Sequence, residues 1–310
     1  MGHDDIHGQK NGAETMKTLV VIVGPTASGK TESAITLAKA LNTEILSCDS
    51  RQFYKELNIG VARPTPEELS AVPHHFIANR SVTHPYNAYQ YEHEALDLLK
   101  SLFTKNDTMI AVGGSGLYID ALCTGINYLP DPTPELRDSL SKKIADGGLL
   151  EILDKLQALD PEYYAIVDKQ NPIRVQRAME TIITAGCKYS ELLSKPLEPR
   201  PFRIVKIGIK TDRDELRQRI SLRTERMIEQ GLLNEVSCLQ QYRGLNTLNT
   251  VGYKEIFSFL DNLTTLQKAV TEIKNHTWQY AKKQITWLAR YSNIHWVERN
   301  NLSMMLSALE

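Results

Sequence analysis

The chain has 310 residues, 42% of them hydrophobic and 24% charged, with a formal net charge of −1. That composition is typical of a globular protein with a large core, and the balanced charge neither requires nor excludes a nucleic-acid partner, because acidic residues can offset a basic surface. No apolar run is long enough to span a membrane. Residues 1–15 are polar and lack the apolar core of a signal peptide, and we predict that they are a disordered leader or a tag remnant. The cysteines show no C-x-x-C spacing, which argues against a zinc site or a disulfide framework and indicates reduced thiols in a cytoplasmic protein; they are Cys48, Cys123, Cys187 and Cys238.

The elements that follow alternate between strand and helix. Continuous apolar runs, as expected of strands buried on both faces, alternate with helical patterns of apolar residues. The runs lie at 18–23, 44–48, 109–112 and 203–209, and the helical patterns at 30–41 and 88–103. This alternation predicts an α/β fold in which helices flank a parallel sheet.

The segment between the third and fourth runs carries no strand signal. It begins with the prolines of 129-LPDPTPELRDSL-140, continues with helical patterns at 149–159 and 172–186, and ends with the proline-rich 195-KPLEPRP-201. We therefore predict a helical insertion domain at 123–200, within an α/β core formed by 16–122 and 201–310. After the fourth run the chain is predicted to be helical to about Tyr291, with breaks at 243–252 and 261–263.

The stretch 24-GPTASGKT-31 fits the phosphate-loop pattern G-x-x-x-x-G-K-[ST], with a strand before it and a helix after it. Successive backbone N–H groups would surround a phosphate at the helix N-terminus, Lys30 would add a positive charge, and the Thr31 hydroxyl would ligate Mg²⁺. The fold class is therefore predicted to be P-loop NTPase-like. The loop residues are Gly24, Pro25, Thr26, Ala27, Ser28, Gly29, Lys30 and Thr31.

The metal-holding Asp of a nucleotide hydrolase is missing from the strand where it is expected. The third run ends in 112-VGGSGLY-118, with glycines in that position, whereas the second run ends in 47-SCDS-50 and so places Asp49 beside the loop. Asp49 is either a site residue or the N-cap of a following helix.

At this point the chain resembles the tRNA dimethylallyltransferases, also called tRNA isopentenyltransferases. The resemblance spans Gly24 to Arg290, and the combination of its motifs is specific. The motifs are 24-GPTASGKT-31, 47-SCDSRQFY-54, 59-IGVARPTPEE-68, 73-PHHF-76, 112-VGGSGLYIDAL-122, 171-NPIRVQRAME-180, 227-MIEQGLLNEV-236, 250-TVGYKE-255 and 279-QYAKKQITWLAR-290.

The resemblance implies transfer of a dimethylallyl group from its diphosphate to N6 of an adenosine next to the tRNA anticodon. The loop and Mg²⁺ would then hold the pyrophosphate, Asp49 would be the general base, Thr31 a metal ligand, and Arg223 a pyrophosphate ligand. Arg219, Arg223 and Arg226 share one helix face, so an ordinary solvated basic face remains the alternative for Arg223.

The resemblance also implies contacts to tRNA in several segments. Segment 276-HTWQYAKKQITWLARY-291 mixes aromatic and basic residues, as an RNA surface requires, although an amphipathic core helix would show part of the same pattern. Ile173 departs from the family, which commonly carries Gln there. The implied tRNA-binding residues are Asp49, Ser50, Arg51, Gln52, Ser115, Arg137, Ile173, Arg174, Val175, Gln176, Arg177, Gly252, Tyr253, Lys254, Lys283 and Gln284.

Three other functions remain open from the sequence. These are a prenyltransferase acting on free adenine nucleotide, a P-loop kinase or other ATP-binding NTPase, and a non-enzymatic RNA-binding module. The insertion and the basic C-terminal helix favour tRNA over a mononucleotide, and the intact Lys30 and Thr31 argue against a module without catalysis. We expect a monomer whose partners are tRNA and dimethylallyl diphosphate, with no membrane partner.

Overall fold

Six parallel strands form one sheet within residues 16–310, the part of the chain that the computed structural model describes. Their order across the sheet is β3-β2-β4-β1-β5-β6, and every neighbouring pair runs parallel. The strands are β1 Thr18–Val23, β2 Ile45–Ser47, β3 His74–His75, β4 Thr108–Val112, β5 Arg203–Ile209 and β6 Ile294–Val297. The predicted class, a parallel sheet flanked by helices, is confirmed.

Fourteen α-helices accompany the strands in the same described residues. In chain order they are α1 Lys30–Leu41, α2 Pro66–Ala71, α3 Ala88–Leu102, α4 Gly116–Thr124, α5 Pro134–Ala145, α6 Leu149–Leu159, α7 Pro161–Ile166, α8 Pro172–Ala185, α9 Tyr189–Leu193, α10 Arg213–Glu229, α11 Leu232–Cys238, α12 Tyr253–Leu260, α13 Leu266–Leu288 and α14 Leu302–Ser307. Between α11 and α12, a 3-10 turn at Asn246–Leu248 lies within the predicted break 243–252, and another at Gln240–Tyr242 lies just before it. None of these helices is both long and apolar enough to cross a membrane.

The two faces of β1 pack into different halves of the core. Leu19, Val21 and Val23 join a cluster with residues of α3 and α4, whereas Val20 and Ile22 join a cluster with residues of α1 and β5. All of β1 is buried, because each side chain meets helices on its own face of the sheet. This explains why the strand is an uninterrupted apolar run in the sequence.

The two edge strands were not predicted. β3 has only two residues, both histidines, and β6 carries His295 and Trp296 on exposed positions. An edge strand pairs on one side only and is covered less completely, so its sequence lacks the continuous apolar run by which a central strand is recognised.

The chain divides into two compact units. One consists of the described residues up to Cys123 together with Arg200–Glu310, and the other of Thr124–Pro199. The first is the sheet unit and the second the helical unit. The helical unit contains α5 to α9 and no strand among its residues, and its core includes Ile152, Leu156 and Val175. The predicted insertion boundaries, 123 and 200, each lie one residue outside this unit. The predicted leader, residues 1–15, lies outside the described residues.

A buried ion pair lies where the chain leaves the first unit and where it re-enters it. Arg200, where the chain re-enters, donates from Nε to the carbonyl oxygen of Leu122 at 2.9 Å, close to where the chain departs. Its guanidinium also pairs with Glu92 of α3, and both side chains are only 7% exposed. The departing and returning segments are therefore fixed next to each other on the sheet unit.

Candidate active site

The phosphate loop follows β1 at the centre of the sheet and leads into α1. Gly24, Ala27 and Gly29 have φ angles of 156°, 69° and 93°, which turn the backbone sharply between strand and helix. The Arg299 side chain packs against Gly29, with an Arg219 nitrogen nearby. Cations from two other elements thus lie beside the loop, where an anion at the start of α1 would be favoured.

Lys30 is enclosed by the loop that it belongs to. Its Nζ donates to the carbonyl oxygen of Pro25 at 2.8 Å. Burial lowers the pKa of Lys30 to about 8; the Asp49 carboxylate opposes this shift and Arg223 reinforces it. Burial likewise lowers the pKa of Arg223, and Asp49 again opposes the shift. Asp49, Lys30 and Arg223 therefore lie within electrostatic reach of one another.

Asp49 lies just beyond the carboxyl end of β2 and lines a cavity of about 390 Å³, hereafter the Asp49 cavity. Residues 50–53 form turns, so the alternative reading of Asp49 as a helix N-cap is wrong; its Oδ1 accepts the Arg51 N–H at 3.0 Å within the turn. The cavity brings together many of the predicted site residues. These are Thr26, Asp49, Ser50, Arg51, Arg223, Gly252, Lys254 and Lys283.

Two glycines after β4 explain the missing metal-holding Asp. A Cβ atom on Gly113 would lie 2.6 Å from the carbonyl carbon and oxygen of Cys48, and one on Gly114 would lie 2.3 Å from Nε2 of Gln284. Neither position has room for a side chain, because the backbone before Asp49 and the Gln284 amide fill the space. Among the described residues that line the Asp49 cavity, Asp49 is the one carboxylate.

Ser115 and Gln284 make hydrogen bonds inside the site. The Ser115 Oγ accepts the Ser50 N–H at 3.0 Å, and Gln284 accepts the Thr26 N–H at 2.7 Å while donating to the Gly114 carbonyl at 2.8 Å. Burial raises the pKa of Tyr280 to about 12, and the neighbouring Ser115 and Gln284 side chains oppose that shift. Tyr280 is 42% exposed and lines the Asp49 cavity.

Four of the residues implied to contact tRNA have buried side chains: Ser115, Val175, Tyr253 and Gln284. Tyr253 is fully buried and donates its hydroxyl to Glu235 at 2.6 Å, and Val175 is fully buried in the helical unit. Any RNA contact at Val175 or Tyr253 would therefore be made by the main chain. Gln52 is partly exposed, and its Nε2 donates to the Ala62 carbonyl at 3.1 Å.

The basic residues of the helical unit surround one buried carboxylate. Glu180 lies within 3.8 Å of Arg177 and 3.9 Å of Arg137, and it accepts a hydrogen bond from Gln176 at 2.8 Å. Arg174 is exposed, and Ile173 is 77% exposed. Arg174 is therefore the cation of this predicted group that is most open to a phosphate.

The aromatic-basic segment of α13 divides its residues between the site and internal contacts. Lys283 lines the Asp49 cavity, whereas Trp287 donates from Nε1 to Asp120 at 3.1 Å and Arg290 lies 3.4 Å from the same carboxylate. Part of the segment is thus packed internally, as an amphipathic core helix requires, and part of it faces the cavity; its role as an RNA surface stays a prediction.

Three site features were missed in the sequence. His276 lines the Asp49 cavity, and its Nδ1 lies 2.6 Å from the buried Glu255, which also accepts the Gly252 N–H at 2.7 Å. Glu235 accepts the N–H groups of Ile59 and Gly60 at 2.7 and 3.1 Å and so fixes one wall of the cavity. The available signal was an acidic residue inside each of the motifs 227–236 and 250–255.

The donor set at the loop fits Mg²⁺ that arrives with a phosphate-containing ligand. No cluster of three or more His, Cys, Asp or Glu residues capable of holding a metal occurs within residues 16–310. Mg²⁺ prefers oxygen and commonly takes one or two protein ligands, with phosphate and water completing its shell. The Thr31 hydroxyl at the start of α1 meets that requirement, and the Ser28 hydroxyl in the loop is buried without a hydrogen-bond partner.

The sequence of this chain matches one family model and is similar to known proteins over most of its length. A family model described as IPP transferase matches residues 52–291. A tRNA dimethylallyltransferase 1 of Bacteroides thetaiotaomicron is 45% identical over 281 residues, covering 91% of both chains. A tRNA dimethylallyltransferase 1 of Porphyromonas gingivalis is 46% identical over 279 residues, covering 90% of this chain and 93% of its own.

Solved structures of tRNA-modifying transferases also superimpose on most of this chain. A full-length tRNA isopentenylpyrophosphate transferase from Bacillus halodurans superimposes with a TM-score of 0.67 at 32% identity, covering 94% of this chain and 95% of its own. A eukaryotic dimethylallyltransferase acting on tRNA gives a TM-score of 0.76 at 26% identity, covering 93% of this chain and 75% of its own.

Proposed function

The chain belongs to the IPP transferase family, and we propose that it transfers a dimethylallyl group from dimethylallyl diphosphate to N6 of an adenosine next to the anticodon in tRNA, releasing diphosphate. It is a transferase, as its curated relatives are. Its sheet, phosphate loop and helical unit are all compatible with that reaction.

One observation carries the proposal: a carboxylate lies within electrostatic reach of the phosphate-loop lysine and shares a cavity with a second cation. Asp49 and Arg223 line the Asp49 cavity, and the charge of Asp49 acts on both Lys30 and Arg223. A diphosphate on the loop and an amine beside Asp49 would therefore lie close enough to react. A simple RNA-binding protein does not require this pairing.

The residues divide the reaction between leaving group and nucleophile. The carbon–oxygen bond of the donor breaks as the bond from N6 to the allylic carbon forms, and the electron pair leaves on the diphosphate. The loop N–H groups, Lys30 and Arg223 stabilise that negative charge as it develops. Bound Mg²⁺, held by the Thr31 hydroxyl, would neutralise further diphosphate charge.

The amine must lose a proton, and Asp49 is placed to accept it. The proton becomes acidic only as the new bond forms, so a carboxylate of ordinary basicity is sufficient. In this scheme the Asp49 Oδ2 takes the N6 proton while Oδ1 keeps its hydrogen bond from the Arg51 N–H.

The acceptor base has to leave the anticodon loop to reach Asp49, since a stacked base cannot enter a cavity. The exposed ring of Tyr280 offers a stacking surface, and Arg51, Lys254 and Lys283 offer positive charge around the opening. The exposed Arg174 adds a phosphate contact on the helical unit.

The decisive experiment incubates the protein with radiolabelled dimethylallyl diphosphate, Mg²⁺ and unmodified tRNA and counts label in the RNA. We expect label in RNA, lost when Mg²⁺ is chelated. Parallel reactions with AMP and with ATP test the adenine-nucleotide prenyltransferase and the ATP-dependent functions. Label in AMP but not in tRNA, or ATP turnover without prenyl transfer, would overturn the proposal.

A further inference from the structure

Gln284 of α13 connects the phosphate loop with the glycine turn after β4. Its Oε1 accepts the Thr26 N–H at 2.7 Å and its Nε2 donates to the Gly114 carbonyl at 2.8 Å. From this arrangement we infer that Gln284 is a positioning residue that aligns the phosphate loop with Asp49, and that it is not an RNA ligand. The inference rests on the proposed function and assigns Gln284 a different role from the one the family resemblance implies.

The environment of Gln284 leaves it poorly suited to contact RNA. The residue is only 6% exposed, although its neighbour Lys283 lines the Asp49 cavity. Its amide oxygen and nitrogen each have a short partner, and those two partners fix the orientation of the amide. A buried amide whose oxygen and nitrogen are both hydrogen-bonded to backbone groups is suited to hold those backbone segments in place.

The same amide belongs to a hydrogen-bonded path between the two halves of the site. The path starts at Ser50, next to Asp49, whose N–H donates to the Ser115 Oγ at 3.0 Å. It continues along the backbone from Ser115 to Gly114, whose carbonyl accepts the Gln284 Nε2 at 2.8 Å, and from Gln284 to the Thr26 N–H at 2.7 Å. The turn that carries Asp49 and the loop that would hold the diphosphate are thus joined through the glycine turn after β4 and Gln284 of α13.

Loss of this amide should therefore affect the donor side. Without Gln284 the Thr26 N–H and the Gly114 carbonyl lose their partners, and the loop is no longer held in register with Asp49. Such misplacement weakens donor binding and lowers kcat, because the reacting atoms must be held in a narrow range of positions. RNA affinity should not change, since no group that faces the RNA is removed.

The first test compares Gln284→Met with the control Gln267→Met, at an exposed position on the same helix. For Gln284→Met we expect a KM for dimethylallyl diphosphate raised about tenfold and a reduced kcat, with the Kd for tRNA within about twofold of wild type. Gln267→Met should match wild type in all three quantities. A raised Kd for tRNA with an unchanged donor KM would overturn the inference and make Gln284 an RNA ligand.

The second test uses the glycine that Gln284 contacts and does not depend on how well one variant folds. In Gly114→Ala the new Cβ would lie 2.3 Å from the Gln284 Nε2, while the next atoms, Gln284 Cδ and Lys30 Nζ, are 3.5 and 3.7 Å away. Gly114→Ala alone should therefore impair donor KM and kcat, and Gly114→Ala with Gln284→Ala should be no worse than Gln284→Ala alone. Additive losses in the double variant would contradict the contact.

The design separates this inference from the proposed function. If wild-type protein transfers no label to tRNA, the proposed function fails whatever the variants do. If wild type transfers label and the Gln284 variants lose RNA binding alone, only the positioning role fails.

Discussion

Replacing Asp49 with Asn removes the proposed base while preserving the local structure. Asn has nearly the same shape, and its amide oxygen can still accept the Arg51 N–H that Asp49 Oδ1 accepts at 3.0 Å. The turn after β2 should therefore persist, and Asp49→Asn should unfold at the wild-type temperature. A change in catalysis can then be attributed to the lost carboxylate.

Two effects of different sign follow from the lost charge. General-base catalysis contributes about 10²- to 10⁴-fold, so kcat should fall by that factor, equivalent to about 3–5 kcal/mol in the barrier at 1.36 kcal/mol per tenfold. Donor binding at about pH 6, where Lys30 keeps its proton, should be unchanged or tighter, because a negative charge that would repel the diphosphate is gone. The same charge raises the pKa of Lys30, which lies at about 8, so the pH above which donor affinity weakens should move downward.

Single-turnover transfer of labelled donor to tRNA measures the chemical step, and filter binding measures the RNA affinity of the same variant. We expect slow transfer, donor KM no higher than wild type at about pH 6, and tRNA affinity within a few-fold of wild type. Transfer at the wild-type rate would refute the assignment of Asp49 as base. A large rise in donor KM at about pH 6 would refute the electrostatic reasoning.

Four other predictions test separate parts of the structure. As pH rises through about 8, Lys30 loses its proton and its positive charge, so kcat/KM for the donor should fall by up to about tenfold per pH unit; a profile flat to pH 10 would contradict this. Glu235 accepts hydrogen bonds from the N–H groups of Ile59 and Gly60 and from the Tyr253 hydroxyl, and Glu235→Gln leaves one of these donors without a good acceptor. The free energy of unfolding in denaturant titration should therefore fall by about 1–3 kcal/mol, whereas Glu225→Gln, at an exposed position, should change it little. Gly113→Ala should destabilise the protein and reduce kcat by displacing the backbone before Asp49, whereas Gly244→Ala, whose Cβ would meet nothing within 4 Å, should be tolerated in the same thermal and kinetic assays. Binding of tRNA should weaken with salt, and Arg174→Gln should reduce the slope of log Kd against log salt by about 0.7–0.9 if Arg174 contacts a phosphate.

The central part of the fold follows from simple patterns. β1, β2, β4 and β5 were recognisable because strands buried on both faces are apolar throughout, and α1 begins where the phosphate-loop pattern requires it. β3 and β6 lacked that signal. Their short, partly exposed sequences form strands because a neighbouring strand already offers hydrogen-bonding groups, which is a tertiary effect.

The candidate site was likewise predictable from the sequence only in part. The pattern 24–31 and the acid at the end of β2 located the loop and Asp49, because both lie at strand ends that a parallel sheet brings together. Gln284 illustrates what a sequence pattern does not contain. It lies in a basic, aromatic segment that resembles an RNA-binding surface, and only the packing of α13 against the loop reveals that its side chain points inward. The roles of these residues in the reaction stay predictions.

The ion pair between Arg200 and Glu92 has a consequence for how this protein can be altered. Since the chain leaves the sheet unit near Leu122 and returns at Arg200 beside it, the strands need not be rethreaded if what lies between is removed. A short linker, or a foreign domain with adjacent termini, could replace Thr124–Pro199 while β4 and β5 keep their places. The segment Thr124–Pro199 could thus be exchanged for that of a relative while Asp49 and the phosphate loop stay in an unaltered sheet unit.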